Sequence, residues 1–198
     1  MSSPMYYGWY SINDYGALLQ EEKEFNANKA MTILRQNGFT IYAAAGIVGN
    51  MWAESQMSPG QWQGDTPYSG GYGLVQWTPY TLYSEWAGAE WENNGPKEME
   101  RLLYEKANGL EFYPSQTYPQ WRWRNFSQME PEEGLTQDET VNQAASVFLY
   151  NYLRPSDPAG SESNRKYLAR YVYHNCAGTY IPTWLLFKWS KLNRRIYT

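Results

Sequence analysis

The chain has 198 residues, enough for one domain with a sizeable core. Its formal net charge of −4 argues against a nucleic-acid partner, which needs a basic footprint. A single cysteine, Cys176, excludes an internal disulfide framework. No stretch approaches the ~20 apolar residues of a membrane span, and no basic region followed by an apolar run marks a secretory leader. Nineteen Tyr and ten Trp are more rings than charge-poor surfaces usually carry, and aromatic faces suit sugar rings as well as cores.

Residues 1–25 form an arm, MYYGWYSINDYG followed by Glu21, Glu22 and Glu24, expected to dock on the body rather than meet a partner subunit. Asn26 or Asn28 caps a helix carrying Ala27, Ala30, Met31, Ile33 and Leu34, which stops at Gly38. A second helix follows at once, from Thr40 as cap to Ser55, with apolar residues at Ile41, Ala44, Ala45, Val48, Met51 and Trp52. Gly46 and Gly49 each weaken it by roughly 1 kcal/mol relative to Ala, which implies that another backbone packs against that face. Near its end, before Pro59, sits Glu54. A lone carboxylate on an apolar helix is costly to bury, and burial is how a carboxyl keeps its proton for general acid work near neutral pH.

Residues 58–71 are a polar, Gly- and Pro-containing loop, and Gly73–Trp77 has the look of a short strand. Thr78-Pro79 opens a helix with Leu82, Tyr83, Trp86 and Ala89 on one side. Gly95-Pro96 opens another, with Met99, Leu102, Leu103 and Ala107 inward and charges outward. Between Gly109 and Glu133 periodicity is lost, and Trp121 and Trp123 there either line a glycan groove or pack the loop onto the domain. Thr136 and Glu139 make a capping box for a helix with Val141, Ala144, Ala145, Phe148, Leu149 and Tyr152 on one face, ending near Pro155. A last helix spans about 161–175, with Tyr167, Leu168, Tyr171 and Val172 inward, and the 179–198 tail is apolar, then basic.

Glu54-Ser55, the polar loop and Gly71-Tyr72-Gly73-Leu74-x-Gln76 together resemble the lysozyme superfamily, including goose-type lysozymes and lytic transglycosylases. AGIVGNMWAES and GYGLVQWT are most similar to phage tail lysozymes, and the resemblance extends over roughly residues 26–176. Glu139 to Pro155 resembles that family's terminal helix, although Leu153 stands where phage tail lysozymes often place a Glu before the Arg-Pro. The resemblance implies a mainly α (α+β) lysozyme-like domain over 26–178, with a small β element flanking a substrate groove, between the arm and the tail. It implies cleavage of the β-1,4 bond between N-acetylmuramic acid and N-acetylglucosamine in peptidoglycan, with Glu54 as general acid. Asp65, placed as goose-type lysozymes place a water-positioning Asp, would serve as general base; equally, Gly64-Asp65-Thr66-Pro67 is good turn sequence. Ser55, Tyr72, Gln76, Trp77 and Tyr152 would meet the glycan, with Tyr150 or Tyr152 bonding Glu54 or the substrate.

No metal and no other cofactor is expected, since neither a phosphate loop nor a metal-ligand spacing is present. A tailed phage is the implied setting, with other tail proteins as partners and the virion tail, or the host cytoplasm before lysis, as location. Two other classes compete. His174 and Cys176 could suggest a cysteine hydrolase, but residues two apart on a helix point about 200° from each other. A wall-binding tail protein without catalysis would be equally rich in aromatics; within the resemblance itself, a lytic transglycosylase giving anhydro-muramic ends is a further alternative.

Overall fold

The computed structural model describes residues 3–12, 17–64 and 67–176. A hairpin of Met5–Tyr6 (β1) and Trp9–Tyr10 (β2) leads into the helices Gln20–Gln36 (α1) and Ile41–Ser55 (α2). After the loop come Thr81–Ala87 (α3), Gly95–Asn108 (α4), the single turn Trp123–Phe126 (α5), Gln137–Phe148 (α6) and Pro158–Asn175 (α7). The architecture is mainly α, as expected. Among the described residues no helix is long and apolar enough to cross a membrane.

α2 is the axis of the domain. Thr40 caps it, its Oγ1 accepting the Ala43 N–H at 3.3 Å, and residues 42–52 are all buried, as befits a helix apolar on every side. α1, α6 and α7 cover it. Both glycines serve close approach: a Cβ on Gly46 would lie 2.7 Å from Ala144 of α6, and one on Gly49 would lie 2.5 Å from the Ala169 backbone of α7. The arm docks, with Trp9 buried against Gly95 and Ser11 bonded to Asn93. Trp121 and Trp123 are 8% and 4% exposed and pack the irregular segment onto the domain, and Trp123 also borders a surface cavity with Phe112 and Arg122. Trp123 reaches Phe39, Phe112 and Phe148, and its Nε1 donates to the Leu110 carbonyl at 2.6 Å.

Several local expectations are corrected. α1 begins at Gln20, not near Asn26, because Glu22 folds back to accept the Leu19 N–H at 2.9 Å and supplies the missing cap. Residues 73–76 form a turn rather than a strand, since Gly73 and Gln76 both have left-handed φ (81° and 56°); only isolated bridges Trp62–Tyr72 and Tyr72–Trp77 remain. The outward charges of α4 include two that point inward, Glu98 and Glu105. Tyr167 of α7 is 57% exposed rather than inward. The 179–198 tail lies outside the described residues.

Candidate active site

Glu54 occupies the last turn of α2, which ends sharply because Gln56 and Met57 take left-handed φ. Its side chain is 19% exposed, and Oε1 accepts from Arg165 Nη2 at 2.6 Å. Arg165, on α7, also donates through Nη1 to Asn50 Oδ1 (3.1 Å) and through Nε to Ser161 Oγ (3.1 Å). Asn50 lies one turn before Glu54, fully buried, its Nδ2 donating to the carbonyls of Gly46 (2.8 Å) and Ala145 (3.0 Å). Among the described residues, Glu54 Oε2 has no hydrogen-bond partner. The expected lone carboxylate in an apolar setting is therefore corrected: a cation from α7 faces it, brought within reach by the close approach at Gly49.

The Gly73–Gln76 turn is held from beneath. Glu98 of α4, fully buried, accepts the Leu74 N–H at 2.6 Å, and a Cβ on Gly73 would collide with that carboxyl. Burial pushes the Glu98 carboxyl well above the ordinary carboxylate range, against the opposing pull of the Leu74 N–H. Gln76 Nε2 donates to the carbonyls of Gly73 (2.9 Å) and Gln61 (3.1 Å), whereas Gln76 Oε1 is buried with no partner among the described residues.

Beside the turn is a cleft of about 120 Å³ lined by Gln76, Trp77, Glu105, Tyr152 and Arg154, among others. Glu105 collects three donors there: Arg101 Nε (2.7 Å), Trp77 Nε1 (3.0 Å) and Tyr152 Oη (2.6 Å). Burial still outweighs them and raises its carboxyl above the usual range. Among the described residues no cluster of His, Cys, Asp and Glu has the makings of a metal site.

The family model for phage tail lysozymes matches residues 25–176. The chain belongs to the phage tail lysozyme family. It is also 33% identical, over 180 residues, to morphogenesis protein 1 of Bacillus phage B103. That alignment takes in 86% of this chain and 44% of the relative, so the chain spans less than half the length of that curated protein.

Within this phage tail lysozyme domain, Gln76, Trp77 and Tyr152 meet in one cleft, and Glu54 is not part of its lining. Two expectations need correction. Ser55 is buried and spends its hydroxyl on the Met51 carbonyl at 2.9 Å. Tyr72 is buried among rings, its oxygen accepting the Asn93 N–H at 2.7 Å. Both shape the loop from within instead of facing a ligand. Neither tyrosine after α6 reaches Glu54: Tyr152 bonds Glu105, and Tyr150 bonds Glu162 at 3.3 Å. Asp65 lies outside the described residues. His174 bonds Asp138 at the surface (2.8 Å), while burial pushes the Cys176 thiol up to about 11, an inert setting for a nucleophile. Sequence reasoning missed Arg165, Asn50, Glu98 and Glu105. The available signal for Arg165 was Gly49, whose backbone contact had to belong to a particular helix.

Proposed function

We propose that the protein is a muramidase that cleaves the β-1,4 bond between N-acetylmuramic acid and N-acetylglucosamine in bacterial peptidoglycan. Glu54 carries this reading: a partly exposed carboxyl at the end of the family's signature helix, with one oxygen held by Arg165 and the other without a hydrogen-bond partner among the described residues. In the reaction the proton on Glu54 Oε2 passes to the glycosidic oxygen as the bond to C1 of the muramic acid breaks, since that oxygen leaves poorly unless protonated. Water attacks C1 from the opposite face and gives its proton to Asp65, so the anomer is inverted and the new end is an ordinary reducing muramic acid. Gln76, Trp77 and Tyr152 line one cleft beside the turn, where the acetamido groups and hydroxyls of the glycan would lie.

The name of the B103 relative, morphogenesis protein 1, supports a place in the phage particle beside other tail proteins, over collection in the host cytoplasm before lysis. It equally gives a reason to weigh a structural protein that binds wall without cutting it. Turbidity of purified peptidoglycan separates the two. Clearing by the wild-type protein and none by Glu54→Gln supports the muramidase; binding without clearing leaves the structural reading.

A further inference from the structure

We propose that Arg165 is the positioning residue of Glu54, holding Oε1 so that Oε2 alone presents the proton to the leaving oxygen. This rests on the reading of Glu54 as proton donor. All three nitrogens of the guanidinium are committed: Nη2 to Glu54, Nη1 to Asn50 and Nε to Ser161. Glu54 and Asn50 lie four residues apart on one face of α2, so a planar fork reaching across from α7 meets both at once. Asn50 is itself fixed in orientation, because its amide N–H groups are spent on the Gly46 and Ala145 carbonyls and only its oxygen faces Arg165. Arg165 is 6% exposed, and one turn further along α7 the backbone at Ala169 lies close against Gly49, so the helix that carries the fork is seated on α2.

The arrangement favours the reaction and not merely the fold. An N–H can donate to Oε1 whether the carboxyl is neutral or ionised, so the fork holds the carboxyl in one orientation before and after the proton leaves. When that proton departs, the guanidinium, charged throughout, faces a full carboxylate, and a bond between two ions is stronger than one to a neutral acid. The contact is thus tighter after transfer than before, the differential that accelerates a step. Nor does another acid compete for the guanidinium along α7: Glu162, one turn earlier, is taken up by Ser146 Oγ (2.6 Å), Lys166 (2.7 Å) and Tyr150 (3.3 Å).

The test measures kcat and KM on soluble wall glycan strands for wild type, Arg165→Gln and Arg165→Lys, with thermal unfolding of each. Arg165→Gln is expected to lose about 100-fold in kcat, within the range of general acid catalysis, while KM stays nearly constant. Arg165→Lys keeps the cation but not the fork, and should recover about tenfold of that loss. Should Arg165→Gln fail to fold, the lysine variant decides: reduced kcat at constant KM supports the role, and wild-type kcat overturns it. A folded Arg165→Gln with wild-type kcat, or one impaired in KM alone, also overturns it. Wild-type protein without any cleavage overturns the proposed function and this inference with it, so the two failures are distinct.

Discussion

Gly49→Ala perturbs the contact that brings α7 onto α2. The added Cβ would sit 2.5 Å from both the N and Cα of Ala169. Carbon atoms pack at about 3.5–4.0 Å, so α7 must withdraw by roughly 1 Å. Overpacking of this kind costs about 1–3 kcal/mol, and Ala returns roughly 1 kcal/mol of helix propensity over Gly. A net loss of about 1 kcal/mol lowers Tm by about 2–4 °C in a domain of this size. Activity should suffer more, because the same withdrawal stretches the 2.6 Å contact between Arg165 and Glu54. A fall of about tenfold, some 1.4 kcal/mol of barrier, is expected. Circular-dichroism melts and peptidoglycan turbidity assays measure the two effects. A higher Tm with wild-type activity would refute the reasoning, since propensity would then outweigh a contact that does not matter.

Tyr152→Phe deletes the 2.6 Å bond to buried Glu105 and should cost about 1–3 kcal/mol in urea unfolding, whereas an unchanged midpoint contradicts the buried bond. Glu98→Gln should flatten the decline of stability with pH. The folded carboxyl is raised, so above its unfolded value of 4.5 the native state binds more protons than the unfolded one, and stability is lost as pH rises towards the folded value. Melts at pH 5 and pH 8 should therefore differ less for the variant than for wild type; equal differences would remove Glu98 from this role. Cys176→Ser and His174→Ala, made separately, should leave wall cleavage essentially intact, and loss in either folded protein with Glu54→Gln still active would revive a cysteine hydrolase.

The parts legible in the sequence are those governed by local rules. Thr40, the Thr136–Glu139 box and Gly95-Pro96 mark helix ends because capping is settled within a few residues. Gly46 and Gly49 announced a close backbone because a glycine in a buried helix has few other uses. What escaped depends on partners far along the chain. Glu98 and Glu105 sit among the charges of an amphipathic helix, and apart from Arg101 one turn before Glu105, the donors that offset their burial, Leu74, Trp77 and Tyr152, lie far along the chain. Arg165 likewise looks like a residue for solvent until α2 is laid beside it. The 73–76 turn was misjudged because Leu-Val favours a strand, while the left-handed Gln76, held by its own amide to Gly73 and Gln61, is a tertiary outcome.

Mass spectrometry of peptidoglycan digested by wild type and by Glu54→Gln tests the central claim most directly. Disaccharide-containing fragments with ordinary reducing muramic acid ends are expected from wild type, and intact glycan from a folded Glu54→Gln. Anhydro-muramic ends as the main product would replace hydrolysis by transglycosylation. The same fragments from both proteins, or none from wild type, would contradict Glu54 as the proton donor of a muramidase.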